Sequence, residues 1–491
     1  MKTKILIIVI VIFLSTTANA YQWSEYKASS TRSNYFSGIG NMTYPEVSYF
    51  SNISSFSEGR PYVVVGNVNE DIYPEIVATS PKDNSMYVFD RNLHLLWSFT
   101  EKSDTFLTDE TIQAYKSTAL LLSDINNDGY KEILFSMCDS KSIETTLHVF
   151  DGKGGEIWKK RIPGRIPPAG ILVGDFNDDG EKEILIASKS IYIFDSEGTQ
   201  LNRYSEKMDD EYGFSGVSYN DGMLFAMLWH YPTTEVNYSG AILTDISFRP
   251  INSYMKIEYF SIYKNLSLEI KWEKEMESSL NPTTRKYNDF YVSEDFTKVF
   301  LTHRNGFVVI NTTDGSEINE CFWISSWSCG IVQDADKSFW TSGTKLFMYT
   351  DKINWQYADT GYLGALTVYD VDGNDKPEVI VSAEKGNLLF FDAETGKEES
   401  VEEIYGFQSE HPSLVLIHSD IDNDGNDEIV SVESRDPGYP GRIVIIDSGT
   451  PPSTEEPETS TNNLMFTGIG AGAIVISVAA VWIWRKRRDE N

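Results

Sequence analysis

Residues 175–183 read Asp175-Phe176-Asn177-Asp178-Asp179-Gly180-Glu181-Lys182-Glu183. Side-chain oxygens stand at loop positions 1, 3, 5 and 9, with a glycine at position 6 for the sharp turn. Alternate residues of a tight loop converge on one point, and a hard cation asks for six to eight oxygens at such a point. An EF-hand opens in the same way, but it lies between helices and closes on Glu at position 12. Here the flanks are Ile171-Leu172-Val173 and Ile184-Leu185-Ile186, short apolar β-branched runs that predict strands. The loop is therefore predicted to be a calcium clip at the tip of a β-hairpin.

Four other stretches repeat it: Asn67, Asn69, Asp71 and Glu75; Asp124, Asn126, Asp128 and Glu132; Asp370, Asp372, Asn374 and Glu378; Asp420, Asp422, Asp424 and Glu428. One such loop reads equally well as an ordinary Asp/Asn/Gly turn. Five in the same strand–loop–strand setting favour the metal. The first copy is the weakest, since Asn67 holds position 1 and Ile72 replaces the glycine, and little or no binding is expected there. The fourth holds Asp375 at position 6 but keeps Gly373 inside the loop.

A second ruler runs between the clips. An aromatic or aliphatic pair is followed by a polar residue, a turn and another strand. The polar positions are Asp90, Asp151, Asp195, Lys264, Asn311, Thr350, Asp392 and Asp447, a spacing of about 51 residues. Three middle units lack the clip and carry Asn220-Asp221-Gly222, Asp295-Phe296-Thr297 and Asp334-Ala335-Asp336 instead. A period of this length with about four short strands predicts propeller blades. The fold class is all-β: a β-propeller of eight four-stranded blades, or seven if one weak unit is irregular. The last unit has three strands before Gly449, and an N-terminal strand near Trp23 is expected to complete it and remove the exposed edge. Trp97, Trp158, Trp272 and Trp355 fall on outer strands and are read as packing between blades. Two long insertions, 102–116 and about 228–255, are candidate binding loops.

Acidic residues outnumber Lys and Arg by 73 to 41, a net charge of −32, so nucleic acid is excluded as a partner. Of three cysteines, Cys321 and Cys329 are close enough to bridge a hairpin and Cys138 is left over. Lys2 and Lys4, the apolar run 5–14 and Ala18-Asn19-Ala20 predict a signal peptide over 1–20. Residues 21–449 form the ectodomain and 450–463 a Pro/Ser/Thr/Glu-rich stalk. The uncharged stretch 464–484 is long enough to cross a bilayer as one helix, and the basic tail 485–491 places the C-terminus in the cytoplasm. The chain is thus expected to be a single-pass protein of the cell membrane. Sequons at Asn41, Asn52, Asn237, Asn265 and Asn311 are permissive and not diagnostic.

The clips at Asp124-Ile125-Asn126-Asn127-Asp128-Gly129 and at 175–183 resemble the FG-GAP/VCBS repeats of integrin-α-type propellers. The element Phe150-Asp151-Gly152, running on to Trp158, is similar to quinoprotein-like blades. The resemblance covers about 61–449 and implies the propeller fold and calcium as its cofactor. It implies a partner only loosely, since the family holds adhesion receptors, surface proteins and some polysaccharide-degrading enzymes.

The leading expectation is a membrane-anchored extracellular propeller with structural calcium that binds a surface protein or a polysaccharide. The alternative is a calcium-dependent polysaccharide lyase, which needs a basic group near the ion to take a proton. His94, His148, His230, His303, His411 and His418 show no motif spacing. His418, two residues before Asp420, is the best catalytic candidate, set against the reading of a packed strand histidine. No GxSxG, HExxH or Walker loop is present.

Overall fold

A computed structural model describes residues 39–448 apart from 43–44, 54–60, 103–116, 139–143, 206–211, 231–254, 277–286, 294, 304–305, 323–327, 335–336, 360, 404–414 and 434–440. The expected signal peptide, stalk, membrane helix and tail lie outside the described residues, as do the side chains of all three cysteines and most of both insertions. Among the described residues no helix is long and apolar enough to cross a membrane.

The strands form eight four-stranded antiparallel sheets. In chain order these blades span 63–100, 117–163, 171–204, 212–276, 287–322, 328–358, 363–403 and 415–448. Within the first seven, strand order follows the chain. The eighth has three strands of its own and takes its fourth from the N-terminal side, where Pro45–Ile53 pairs antiparallel with Gly441–Ser448. The closing strand is therefore Pro45–Ile53 and not the segment around Trp23. Its partner offers a whole unpaired edge, and which upstream segment fills that edge is a matter of reach that local pattern does not encode.

Burial explains the stacking. Each sheet is apolar on both faces of its inner strands, as at Leu363–Tyr369, where every residue is buried. One face cannot be covered by the same sheet, so each hydrophobic cluster spans two blades. Val64, Val77 and Val88 of blade 1 meet Leu120, Ile133 and Phe135 of blade 2. The last cluster joins Ile417, Val430 and Ile443 of blade 8 to Val63, Ile76 and Phe89 of blade 1, which closes the ring.

The second ruler has a structural cause. At Val88/Phe89, Val149/Phe150, Ile193/Phe194, Val309/Ile310, Met348/Tyr349 and Phe390/Phe391 the register to the outer strand slips by one residue, and in the fourth blade it slips earlier than the ruler, at Tyr259/Phe260. Such a bulge twists the outer strand away from its neighbour. The polar residue that follows caps the turn: Asp151 Oδ1 accepts from the Lys153 and Gly155 amides, and Asp195 Oδ1 from Thr199.

The tryptophans pack between blades, as expected. Trp97 Nε1 donates to Gly152 O of the next blade at 2.9 Å, Trp158 to Ser196 O at 2.8 Å, Trp272 to Thr312 O at 2.7 Å and Trp355 to Ala393 O at 3.1 Å. A Cβ on Gly396 would lie 2.4 Å from the Trp355 ring, so this turn needs glycine for the close approach as well as for its φ of +66°. Where the tryptophan is missing, Asn202 makes the corresponding bond to Leu266 O at 2.6 Å.

Candidate metal centre

Each clip joins the first strand of a blade to the second, so all five lie on one rim. The last residue of each loop is also the first of a strand: Glu75, Glu132, Glu183, Glu378 and Glu428 open the second strands of their blades. All five are at most 4% exposed. Each turns one oxygen back to the amide at position 2: Val68, Ile125, Phe176, Val371 and Ile421 donate to Glu Oε2 at 2.8–3.0 Å. Burial pushes these carboxyls up, to about 7 for Glu75, Glu132 and Glu183, about 8 for Glu378 and about 9 for Glu428. A cation in the loop removes that cost by neutralising the charge.

Position 1 organises the turn. Asp124, Asp175 and Asp420 accept through Oδ2 from the amides of Gly129, Gly180 and Gly425, and Asp370 accepts in the same way from Asp375. For Asp175, burial raises the carboxyl, but the loop amides outweigh it and hold the group below its ordinary value. Asp420 and Asp422 are raised, chiefly by burial.

The turn needs a left-handed residue at position 4 as well as at position 6. Asn127, Asp178 and Asn423 have φ near +60°, and Gly129, Gly180 and Gly425 near +95°. The fourth clip exchanges the two: Gly373 takes position 4 with φ +73°, and Asp375 adopts φ +66° at position 6. Gly373 therefore supplies the left-handed geometry that position 4 needs. The first clip has neither, with Glu70 and Ile72 outside the left-handed region and Ile72 66% exposed.

Position 3 separates the clips into two kinds. Asn126 Nδ2 donates to Glu132 Oε1 at 2.9 Å and Asn177 Nδ2 to Glu183 Oε1 at 2.7 Å, and Asn69 makes the same bond to Glu75. Asp372 and Asp422 have no hydrogen to give, so Oε1 of Glu378 and of Glu428 takes no hydrogen bond among the described residues. There the carboxylates draw together: ligand oxygens of Asp370, Asp372 and Glu378 lie within 4.8 Å of one another, as do those of Asp420, Asp422 and Glu428. An all-oxygen set on a buried glutamate fits a hard cation such as calcium. At position 5, Asp128, Asp179 and Asp424 use Oδ1 to cap the amides of Tyr130, Glu181 and Asn426.

Position 8 also divides the clips, and the sequence reading passed over it. Lys182 Nζ donates to Asp124 O of the preceding clip at 2.5 Å. The fourth clip has the N-terminal strap instead: Gly40 N donates to Asp370 O and Met42 N to Val371 O, both at 2.7 Å, while Asp427 N of the fifth clip donates to Ile39 O at 2.8 Å.

His418 is fully buried, stacked on Tyr369 with ring centroids 4.3 Å apart, and its Nδ1 lies 2.7 Å from Asp427 Oδ2. This is the packed strand histidine. His148 is likewise buried, between Glu101 and Glu156, and His94 is exposed beside Asp90. The side chains of His230, His303 and His411 lie outside the described residues.

Residues 124–186, which hold the second and third clips, match the family model of an FG-GAP-like repeat. No curated protein matches the sequence. Among solved structures, the quinohemoprotein alcohol dehydrogenase ADHIIG from Pseudomonas putida HK5 is similar with a TM-score of 0.56 and 10% identity, over 94% of this chain and 85% of that one. A europium-containing methanol dehydrogenase is similar with a TM-score of 0.56 and 9% identity, over 87% of this chain and 98% of that one. At these identities the likeness is one of fold, the propeller with quinoprotein-type blades.

Proposed function

We propose that this eight-bladed propeller with its FG-GAP-like repeat is an extracellular binding protein. In this reading calcium staples its rim and the segment 464–484 anchors it in the cell membrane. The observation that carries the reading is the convergence of Asp370, Asp372 and Glu378, and of Asp420, Asp422 and Glu428, whose ligand oxygens lie within 4.8 Å of one another on buried glutamates. The ion's work is structural. It neutralises carboxylates that open the second strands of blades 7 and 8, and it stiffens the loops to which the strap at 39–42 is bonded. Extracellular calcium is abundant, so weak sites suffice. The rim then presents a rigid surface to a surface protein or a polysaccharide. A binding role is favoured over a lyase because His418, the best catalytic candidate, is sealed inside the joint between blades 7 and 8.

Scanning calorimetry with and without chelator tests this. Calcium at a twentyfold excess over Kd should stabilise the fold by about 2 kcal/mol per site. An unmoved Tm on chelation would remove calcium from the account.

A further inference from the structure

A cavity of about 340 Å³ opens at the seam where blade 8 meets blade 1, beside the fifth clip. Its walls come from three distant stretches: Tyr49 of the closing strand, Arg91 and Asn92 of the outer turn of blade 1, and Asp422, Glu428 and Asp447 of blade 8. Ring closure alone brings them together.

These groups are of complementary kinds. Asp422 and Asp447 are acceptors, Arg91 and Asn92 bring donors, and the Tyr49 ring stands 44% exposed at the edge. Arg91 lies over the Tyr73 ring at 3.7 Å and makes no ion pair among the described residues, so its planar donors remain for another molecule. Glu428, only 4% exposed, lines the same wall from the fifth clip.

We propose that this seam cavity binds a single residue of a neutral saccharide. The proposal rests on the binding reading above and names its ligand class. A sugar hydroxyl donates one hydrogen bond and accepts others, so it asks for carboxylates and N–H donors on one wall. Its C–H face asks for a flat aromatic surface, which Tyr49 offers. Charge gives an acidic glycan or an acidic peptide no advantage: with calcium held by Asp422 and Glu428, Asp447 offsets Arg91 at the wall, on a chain of net charge −32. Arg91 in turn disfavours a cationic ligand. The volume stands at the lower end of the range for small-molecule sites, about 300–1,000 Å³, which suits one pyranose ring.

The test uses the full chain in lipid nanodiscs, with calcium present. Methyl glycosides of glucose, galactose, mannose, fucose and N-acetylglucosamine are titrated by saturation-transfer NMR, with methyl glucuronoside as the acidic counterpart. At least one neutral glycoside should bind, and its affinity should fall at least tenfold in Asp447→Asn and in Tyr49→Ala. Arg91→Gln replaces either variant whose Tm in calcium departs from that of the parent. Absence of neutral-sugar binding, tighter binding of the glucuronoside, or binding that all folded variants retain overturns the proposal. A chelator scan on the same sample keeps the two readings apart. A Tm that falls while no sugar binds leaves the calcium account standing and removes only the saccharide.

Discussion

The second and third clips share their fold, their turn and their buried glutamate with the fourth and fifth, yet they differ in how that glutamate is satisfied. Asn126 and Asn177 each place an N–H₂ against the free carboxylate oxygen, and Lys182 sets a positive charge against the second clip from the next blade. Asp372 and Asp422 put a second oxygen where the amide nitrogen would be, and the oxygens gather with nothing among them. One atom at position 3 thus separates a loop whose glutamate is bonded by an amide from a loop whose carboxylates could hold a cation. A buried carboxylate must find a donor, a proton or an ion, because leaving it bare is costly.

The largest effect should come from making the fourth and fifth clips like the third. The double variant Asp372→Asn/Asp422→Asn is expected to lose the calcium-dependent rise in Tm, about 4 kcal/mol from two sites, while its chelated form is at least as stable as the chelated parent. Calorimetry in calcium and in chelator checks both halves. A full calcium response in the double variant would break the comparison.

The converse substitution, Asn177→Asp, should convert the third clip into a cation-requiring one. Its chelated form should lose about 1–3 kcal/mol through the lost bond to Glu183. Calcium should then return about 2 kcal/mol, read as a steeper dependence of Tm on calcium concentration.

The pH dependence of the chelated protein sharpens the contrast. Burial raises Glu378 to about 8 and Glu428 to about 9, against about 4.3 in an unfolded chain. The folded state therefore holds protons that the unfolded state has released. The resulting stability is complete below about pH 4.3 and is lost as pH rises through about 8 and about 9, the folded values of Glu378 and Glu428. Urea midpoints in chelator should fall from pH 5 to pH 9, and calcium should flatten the fall by taking the proton's place. The midpoint in Asp372→Asn/Asp422→Asn should level off sooner.

The smallest effect is a control. Trp355→Phe removes the 3.1 Å bond to Ala393 O between blades 6 and 7 and should cost about 1 kcal/mol in calcium and in chelator alike. Unequal costs would mean that the joints between blades, and not the clips alone, feel the ion.

Much of this was legible in the chain because it is local. Ligands at alternate positions of a nine-residue loop, and a hydrophobic pair followed by a polar residue and a turn, all depend on neighbours in sequence. The exchange of Gly373 and Asp375 was visible as residues, but its meaning lay in two backbone angles. The part played by the position-3 residue was hidden for a similar reason. Asn and Asp both count as oxygen ligands by spacing, and only the direction of the Asn126 and Asn177 amides toward buried glutamates separates them.

From its sequence alone this protein is an all-β wheel of eight repeats, or seven, with acidic hairpin tips, since a period of about 51 residues with short apolar strands leaves stacking about an axis as the way to bury them. Tertiary structure decided that Pro45–Ile53 closes the ring, that residues 39–42 tie the fourth clip to the fifth, and that Tyr49, Arg91 and Asp447 share one cavity. Those pairings join the N-terminal side of the fold to its last blades, and contacts so far apart in sequence are set by closure of the ring and not by any local pattern.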